Sequence, residues 1–401
     1  MEKKTGMNIH TQAVHAGDRK KAGPHVPVTV PIYLGTTYLY DEVETIDKIF
    51  GHEIHGYAYL RYSNPTNAAL EEQITTLENG FGALACSSCM AALEVAIRAA
   101  TLERRKSVLW AGAIYGATIK LLEQVLAPIG YEQFSVDICD LKAIETAIGE
   151  HKPGCLLMET ISNPLLRVGA IDRIAEMARA AGTALIVDST FATPLMVRPL
   201  ELGAHIVVHS ATKYLAGHGD VLGGLIVSDE GHFEIIRQMS NIYGPVLGPF
   251  ESYLTMRGMK TFPLRMERQC ANASRLAAWF ATRPEIDRVH FPADPAHPDA
   301  GTIKRLFPPG LYGAIVSVEL KGAERKEILA FMDRLRLVVR GTSLGDVHTM
   351  VLYPAISSHR DMGPEGRAAA GIRENLLRFS VGIEDMEDIS ADIAQALKRG
   401  Q

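Results

Sequence analysis

The residues best suited to chemistry follow two short apolar runs. Asp188 ends the run that begins at Ala184, and Lys213 comes directly after the run that begins at His205. An amine enclosed by apolar strands and by the glycines of segment 217–224 is suited to a lowered pKa and to Schiff-base formation with a carbonyl compound. The spacing of 25 residues between Asp188 and Lys213 fits one crossover unit, so we expect the two strand ends to face one pocket. Taken alone, Asp188 is equally compatible with a structural role as the cap of a turn.

A second group of residues could bind a phosphate. Ser88, Cys89 and Met90 lie between a short apolar run and a strongly apolar segment that is expected to be helical. Small residues before a helix, with its free N–H groups and its dipole, form a cradle for anions. Small residues also cap helices for purely structural reasons, so this signal is weak when taken alone.

Two arginines are placed to bind anionic groups. Tyr59 and Arg61 alternate along an extended segment and therefore point in the same direction. Arg378 lies inside an apolar run from Asn375 to Gly382. An arginine in such a run needs a partner, and a carboxylate matches the fork of its guanidinium group.

The elements that position these residues alternate along the chain. Short runs of β-branched and other apolar residues recur between residues 83 and 227, with helical patterns such as 172–181 between most of them. This alternation predicts an α/β fold with a mainly parallel sheet that is covered on both faces. The runs read as strands are 83–86, 107–110, 155–158, 184–187, 205–208 and 224–227, and those read as helices in the same part are 71–79, 90–102 and 172–181.

The sequence divides into three parts. Residues 1–62 are punctuated by proline and glycine and show little periodicity, which predicts an arm that packs on something else. Residues 63–257 carry the chemistry and form a large domain. Residues 258–401 begin with a helical stretch, 266–282, followed by a strand over 314–320 and a helix over 325–335, which we interpret as a smaller α/β domain.

Composition excludes several classes of function. Hydrophobic residues make up 47% of the chain and charged residues 22%, as in folded globular proteins. The net charge of −5 leaves no positive excess for nucleic-acid binding. The longest uncharged stretch, 22–40, contains three prolines, so no membrane span is expected. Five cysteines indicate reduced thiols, and residues 1–6 are not followed by the apolar core of a secretory signal, so we expect a cytoplasmic protein.

Several motifs together resemble one family. The chain contains Tyr59-x-Arg61-x-x-Asn-Pro-Thr66, Asp188-x-Thr-Phe-Ala-Thr-Pro194, His209-Ser-Ala-Thr-Lys-Tyr214, Met256-Arg-Gly-x-Lys-Thr261 and Arg378-x-Ser-Val-Gly-x-Glu384. These motifs resemble, in order along nearly the whole chain, the Cys/Met-metabolism (trans-sulfuration) family of pyridoxal-phosphate (PLP) enzymes. The resemblance implies the PLP-dependent transferase fold of type I, a PLP cofactor and an amino-acid substrate, and it implies no metal.

The resemblance also implies a role for each matching residue. Lys213 would bind PLP covalently and then move protons, Asp188 would pair with the pyridine nitrogen, and Tyr115 would stack on the ring. Asn163 would contact the ring hydroxyl, and Arg378 with Ser343 would bind the substrate carboxylate. Phosphate would be bound within the chain by Ser88, Cys89, Met90, Ser210 and Thr212, and from the neighbouring subunit by Tyr59 and Arg61.

The chain departs from the family pattern at several positions. Cys89 stands where the family has glycine, and we expect the helix N-terminus to favour its thiolate when no cofactor is bound. The spacing of Cys86 and Cys89 also fits a zinc or redox site, although no second cysteine pair completes one. Ala58 and His348 stand where members that use cystathionine often have an acidic residue, so cystathionine is not expected to be strongly preferred.

The expected reaction is γ-elimination on a sulfur amino acid, as in cystathionine and methionine γ-lyases. The alternative is γ-replacement on an O-acylhomoserine, as in the sulfhydrylases and cystathionine γ-synthase. A minor alternative is a PLP-binding protein with a lost or different activity. The resemblance further implies a homo-oligomer, a tetramer of two dimers with shared active sites.

Overall fold

Seven strands form the larger of two sheets in the computed structural model, which describes residues 7–19 and 24–398. In chain order they are β1 (Gly82–Cys86), β2 (Ser107–Ala111), β3 (Glu132–Val136), β4 (Cys155–Glu159), β5 (Ala184–Asp188), β6 (Ile206–Ser210) and β7 (Gly224–Ser228). The strand order across the sheet is β1-β7-β6-β5-β4-β2-β3. Strands β2 to β6 are parallel to one another, and β7 is antiparallel to both of its neighbours. The predicted mainly parallel sheet is confirmed.

The register of this sheet brings the predicted chemical residues to one edge. Glu159 and Asp188 are directly paired at the ends of β4 and β5, and Asp188 is in turn paired with Val208 of β6. Strands β5 and β6 are therefore neighbours, as the spacing between Asp188 and Lys213 indicates. The central strands are buried on both faces, which is why their sequences are apolar runs without alternation.

Helices cover both faces of the sheet and link its strands. The α-helices of the described residues are α1 (Ile9–His15), α2 (Val43–Phe50), α3 (Pro65–Glu78), α4 (Cys89–Thr101), α5 (Gly116–Lys120), α6 (Leu141–His151), α7 (Ile171–Ala180), α8 (Thr193–Met196), α9 (Glu230–Tyr243), α10 (Pro249–Met259), α11 (Phe262–Ala281), α12 (Ala300–Leu306), α13 (Arg325–Arg334), α14 (Gly363–Ala369) and α15 (Met386–Leu397). Helix α4 is buried along most of its length, as its nearly uniform apolar sequence predicts.

The second sheet has five strands and belongs to the C-terminal part of the chain. They are β8 (Ile286–His290), β9 (Ile315–Leu320), β10 (Val339–Arg340), β11 (Met350–Leu352) and β12 (Leu376–Ser380), in the order β10-β11-β12-β9-β8. A separate hydrophobic cluster forms around Phe280, Phe331 and Phe379. Helix α10 crosses the predicted domain boundary at residue 257, and its Met256 and Met259 pack in one cluster with Leu70 of α3.

Helix α3 begins six residues earlier than its sequence pattern predicts. Asn64 caps the helix, because its side-chain oxygen accepts a hydrogen bond from Thr66 N at 2.8 Å, and Pro65 occupies the first turn. Asparagine followed by proline is a typical helix start. The segment around Tyr59 and Arg61 is not extended as predicted: residues 60–62 form a turn, in which Tyr59 O accepts hydrogen bonds from Tyr62 N at 2.9 Å and from Ser63 N at 3.2 Å.

The N-terminal part contains more regular structure than its sequence predicts. Helices α1 and α2 both lie before residue 62, although Pro and Gly interrupt the sequence around them. Several apolar side chains here have little cover within the chain: Leu39 is 93% exposed and Val43 is 81% exposed. Residues 1–6, 20–23 and 399–401, which include the N-terminal segment used above to expect a cytoplasmic location, lie outside the described residues.

The described part of the chain contains neither a candidate membrane span nor a candidate metal cluster. None of its helices combines the length and apolar character that a membrane span requires. Within residues 7–19 and 24–398, His, Cys, Asp and Glu side chains form no group of three or more that could hold a metal ion. All five cysteines are free thiols, Cys86 and Cys89 included.

Candidate active site

A cavity of about 500 Å³ lies where the ends of β4, β5 and β6 meet the N-terminus of α4. It brings together most of the residues that the sequence singled out. From the sheet and α4 these are Ser88, Cys89, Met90, Asp188, Ser210 and Thr212. The remaining four are Tyr115, Asn163, Lys213 and Arg378. A second cavity of about 520 Å³ adjoins this one and shares Tyr115 with it, and a third of about 560 Å³ lies elsewhere, but neither is lined by Lys213 or Asp188.

Lys213 follows β6 and directs its amine toward the C-terminal part of the chain. Its Nζ donates a hydrogen bond to Ser343 Oγ at 2.8 Å. Burial lowers the pKa of Lys213 to about 8, and the positive charge of Arg378 adds to this effect. Loss of solvent disfavours the charged ammonium. The amine is therefore far closer to its neutral, nucleophilic form at neutral pH than an ordinary lysine.

A buried arginine holds the backbone that carries this lysine. Arg265 of α11 donates to the carbonyl oxygens of Tyr214 at 2.8 Å and Leu215 at 3.1 Å, and also to that of Gly258 at 2.8 Å. The first two of these three carbonyls belong to Tyr214 and Leu215, the residues directly after Lys213. The role of Arg265 could not be predicted from the sequence, because no local pattern connects it with Tyr214 and Leu215, about 50 residues earlier in the chain.

Asp188 keeps one carboxylate oxygen open toward the cavity. Its Oδ1 accepts hydrogen bonds from Thr190 N at 2.9 Å and from the Thr190 hydroxyl at 2.5 Å. Its Oδ2 has a weak donor, the thiol of Cys89, with the sulfur at 3.8 Å. Burial raises the pKa of Asp188, and the two bonds from Thr190 oppose that shift. A cationic N–H placed at Oδ2 would complete this carboxylate.

Cys89 occupies the first turn of α4. The residue before it, Ser88, caps the helix by accepting a hydrogen bond from Ala91 N at 3.1 Å. Since Cys89 is helical, it needs no left-handed backbone, and the cysteine is accommodated without the glycine of the family pattern. The close approach falls instead on Gly224, where an added Cβ would lie 2.3 Å from Ser88 O.

The expectation that Cys89 favours the thiolate is wrong. Burial raises the pKa of its thiol well above the ordinary value, and the negative charges of Asp188 and Glu159 raise it further. The expectation considered only the helix N-terminus and omitted these two carboxylates, which lie at the ends of adjacent strands. A thiolate there would face like charges in a site removed from water.

Arg378 has one free donor in a buried position. It is 3% exposed, and it donates from Nη1 to Asn163 Oδ1 at 2.9 Å and from Nη2 to Ser343 O at 3.2 Å. Its Nε has no hydrogen-bond partner among the described residues. Burial lowers the pKa of the guanidinium to about 10. An incoming carboxylate would satisfy both the unpaired N–H and the buried charge.

Glu159 is a site residue that the sequence analysis missed. It ends β4 as Asp188 ends β5, and the two side chains line the same cavity. The signal was present, because an apolar strand that ends in a carboxylate is the pattern that identified Asp188. Burial raises the pKa of Glu159, and the charge of Asp188 raises it further.

Several predicted residues lie outside this cavity in the single chain. Tyr59 is 39% exposed, and Arg61 donates to the carbonyl of Asn241 and stacks on the ring of Tyr62, 4.7 Å from its centroid. His348 is also outside; its side chain is 64% exposed and hydrogen-bonded to the carboxylate of Asp346. Ala58 does not line the cavity either.

The residues present fit a PLP group. At one end, α4 offers N–H groups of its first turn, which have no acceptor within the helix and suit a phosphate. At the other end, Asp188 Oδ2 is available to a protonated ring nitrogen. The low-pKa amine of Lys213 and the unpaired Nε of Arg378 lie on the same cavity.

Comparisons with known proteins agree with this geometry. The family model described as "Cys/Met metabolism PLP-dependent enzyme" matches residues 10–398. The chain is 38% identical to L-methionine gamma-lyase of Fusobacterium nucleatum subsp. polymorphum, over 99% of both chains. It is also 38% identical to cystathionine gamma-lyase of Bacillus subtilis, over 99% of this chain and 100% of that protein. Among solved structures, cystathionine gamma synthase from Xanthomonas oryzae pv. oryzae in complex with cystathionine matches with a TM-score of 0.91 and 32% identity, over 98% of both chains.

Proposed function

The chain belongs to the Cys/Met-metabolism family of PLP-dependent enzymes, and from this premise we propose that it catalyses γ-elimination on a sulfur amino acid. The observation that carries the proposal is the low-pKa amine of Lys213, which shares one buried cavity with Asp188 and Arg378. The two relatives named above as gamma-lyases support elimination as the main reaction.

Each side chain of the cavity has a task in this proposal. PLP, when bound, supplies the electron sink that lets a substrate lose its α-proton. Asp188 keeps a proton on the ring nitrogen, and Tyr115 stacks on the ring. Arg378, aided by Asn163 and Ser343, holds the substrate carboxylate and so fixes which bond faces Lys213.

Lys213 then moves protons between positions of the substrate. An amine with a pKa of about 8 gives up and takes up protons readily near neutral pH. It takes the proton at Cα of the substrate and delivers a proton where the elimination requires one. The hydrogen bond from Lys213 Nζ to Ser343 Oγ places this amine next to the residues that hold the carboxylate.

The phosphate site in this proposal lies on the other side of the cavity. The backbone of Ser88, Cys89 and Met90 at the start of α4 binds it, together with the hydroxyl groups of Ser210 and Thr212. The Thr212 hydroxyl already exchanges hydrogen bonds with the backbone of Gly223, accepting from N at 3.0 Å and donating to O at 3.3 Å. These bonds fix its position beside Lys213.

The second candidate function is γ-replacement on an O-acylhomoserine. The structural match to a cystathionine gamma synthase, at a TM-score of 0.91, favours it, because the two reactions use the same binding and proton-transfer groups up to the loss of the γ-substituent. The outcome depends on whether water or a second nucleophile reaches the substrate next.

One experiment separates these functions. The purified protein is incubated with PLP and, separately, with L-methionine, L-cystathionine, L-homocysteine, or O-acetylhomoserine plus sulfide, and the products are identified. γ-Elimination breaks the Cγ–S bond and yields the released thiol (sulfide from L-homocysteine), a 2-oxo acid and ammonia, whereas γ-replacement yields a new thioether or thiol amino acid. Lys213→Ala is the control, and it should abolish both turnover and the cofactor's covalent attachment. A lysine-linked cofactor that survives in this variant after borohydride reduction would refute the assignment of Lys213.

We also propose that the active site is shared between subunits of a homotetramer in the cytoplasm. The exposed Tyr59 and the position of Arg61 outside the cavity, beside an arm with exposed apolar side chains, support a site completed by a second copy. Arg61→Ala and Lys213→Ala, each inactive alone, should partly restore activity when refolded together, because some mixed dimers contain one intact site. Absence of restored activity despite proven subunit exchange would contradict the shared site.

A further inference from the structure

Glu159 connects two segments that carry other residues of the site. Its Oε1 accepts a hydrogen bond from Tyr115 N at 2.7 Å, and its Oε2 accepts one from Asn163 N at 3.2 Å. Tyr115 is the N-cap residue of α5, and the carboxylate of Glu159 is the acceptor for its backbone N–H. One side chain at the end of β4 thereby fixes the backbone on both sides of the cavity.

Both segments lead to groups with a task in the proposed function. Tyr115 carries the ring that would stack on the cofactor. Asn163 accepts a hydrogen bond from Arg378, the residue that would hold the substrate carboxylate. A shift of either backbone segment would therefore move the stacking ring or the carboxylate-binding arginine, although Glu159 itself need not contact the substrate.

Placing the carboxyl group of Glu159 beside Asp188 costs free energy, which argues that Glu159 has a role in the site. Glu159 is paired across the sheet with Asp188, and a second buried negative charge beside it is unfavourable. The charged groups that act on it are Asp188 from β5 and Arg378 from β12. The two backbone hydrogen bonds and the charge of Arg378 oppose the burial and the repulsion only in part, so the pKa of Glu159 is still raised to about 8.

We infer that Glu159 is a positioning residue. Through its two backbone hydrogen bonds it holds Tyr115, which would stack on the cofactor, and Asn163, which accepts a hydrogen bond from Arg378. The inference deepens the proposed function and rests on it only for the roles of Tyr115 and Arg378. The two hydrogen bonds themselves are tested without substrate.

The first test is amide hydrogen exchange in the cofactor-free protein, compared among wild type, Glu159→Gln and Glu159→Ala. Glutamine offers one acceptor oxygen for two N–H donors, and alanine offers none. We expect exchange in Glu159→Ala to rise roughly five- to tenfold at Tyr115 and Asn163, the factor that loss of one hydrogen bond of ordinary net strength produces. In Glu159→Gln we expect the faster exchange at one of these two amides only. Glu176→Gln on α7, the same change at a side chain that is 67% exposed, is the matched control and should leave both amides unchanged.

The second test uses the PLP-loaded protein. The visible circular dichroism of the bound cofactor should weaken in the order wild type, Glu159→Gln, Glu159→Ala, and KM should rise more than kcat falls, because Arg378 loses its support. These spectra remain readable if the enzyme turns over none of the four substrates, so failure of the proposed function is distinguishable. Unchanged exchange at both amides, or a lowered melting temperature with wild-type circular dichroism and KM, would overturn the inference.

Discussion

The pKa of Lys213 predicts how the cofactor-free protein captures PLP. Only a neutral amine attacks the aldehyde, so the rate of attachment should increase about tenfold per pH unit below pH 8 and level off above it. The rate rises with pH because the amine of Lys213 is mostly protonated and unreactive below about pH 8 and mostly neutral above it. With the ordinary pKa of 10.5, the same plateau would not be reached until above pH 10.

The size of the effect at neutral pH follows from the two pKa values. At pH 7 a pKa of about 8 leaves roughly one amine in ten neutral, whereas a pKa of 10.5 leaves about three in ten thousand, a difference of about 300-fold. A less basic amine is also a weaker nucleophile, which offsets part of this gain. The pH at which the rate levels off is therefore a cleaner measurement than the rate itself.

Arg378 provides a matched pair of variants. Its charge is the second cause of the low pKa and burial is the first. Arg378→Gln should therefore raise the inflection but leave it clearly below that of an ordinary lysine, and Arg378→Lys, which keeps the charge, should raise it less. The assay is rapid mixing of cofactor-free protein with PLP across a pH series, followed by visible absorbance, with a lysine amide in solution as reference.

Two results would refute this reasoning about Lys213. An inflection near that of the lysine amide would show that the amine is not buried in solution as it is in the structure. An inflection in Arg378→Gln that returns fully to the reference value would show that charge repulsion dominates and that burial is minor. Melting curves of both Arg378 variants establish that the compared proteins are folded.

Three further predictions concern Cys89, His348 and Arg265. Cys89 should react with iodoacetamide at pH 7 more slowly than free cysteine even without PLP, because its pKa is raised; a rate at or above that of free cysteine would contradict its placement. His348→Glu should change the ratio of kcat/KM for cystathionine over methionine by no more than about fivefold, since an exposed charge pair is worth at most about 1 kcal/mol and Asp346 already lies beside it; a larger change would place His348 in the substrate pocket. Arg265→Met should lower the free energy of unfolding by about 3 kcal/mol in urea titrations, because three buried carbonyls lose their donor, and a loss below about 1 kcal/mol would show that water replaces the guanidinium.

The sheet and its edge could be predicted because the signal is local. Strands buried on both faces read as apolar runs, and in a parallel sheet their ends meet at one edge. That reasoning placed Asp188 and Lys213 together, and the structure pairs their strands. The same rule applies to Glu159 at the end of β4, so the sequence carries the signal for this residue too.

Other features depend on contacts between distant segments. The clamp of Arg265 on the turn after Lys213 joins residues about 50 positions apart, and no spacing rule connects them. The pKa of Cys89 was predicted in the wrong direction because its two carboxylate neighbours come from strands 70 and 99 residues away along the chain. The helix N-terminus alone predicts a lowered pKa for Cys89, whereas burial next to the two carboxylates raises it.

The charges of the cavity explain why these shifts occur together. Asp188 and Glu159 contribute two carboxyl groups, and Lys213 and Arg378 contribute an amine and a guanidinium. Arg378 is buried and the other three are part-buried, but within the described residues none of the four makes a direct ion pair with another of them. A fold that needed them only for stability would pair them, because unpaired buried charge is expensive. Two of these groups keep an unsatisfied side: Asp188 accepts its hydrogen bonds from Thr190 on Oδ1 only, and Arg378 has no partner for Nε among the described residues. The unsatisfied sides meet at the cavity, which is the arrangement that a zwitterionic substrate and a cofactor with a cationic ring nitrogen would complete.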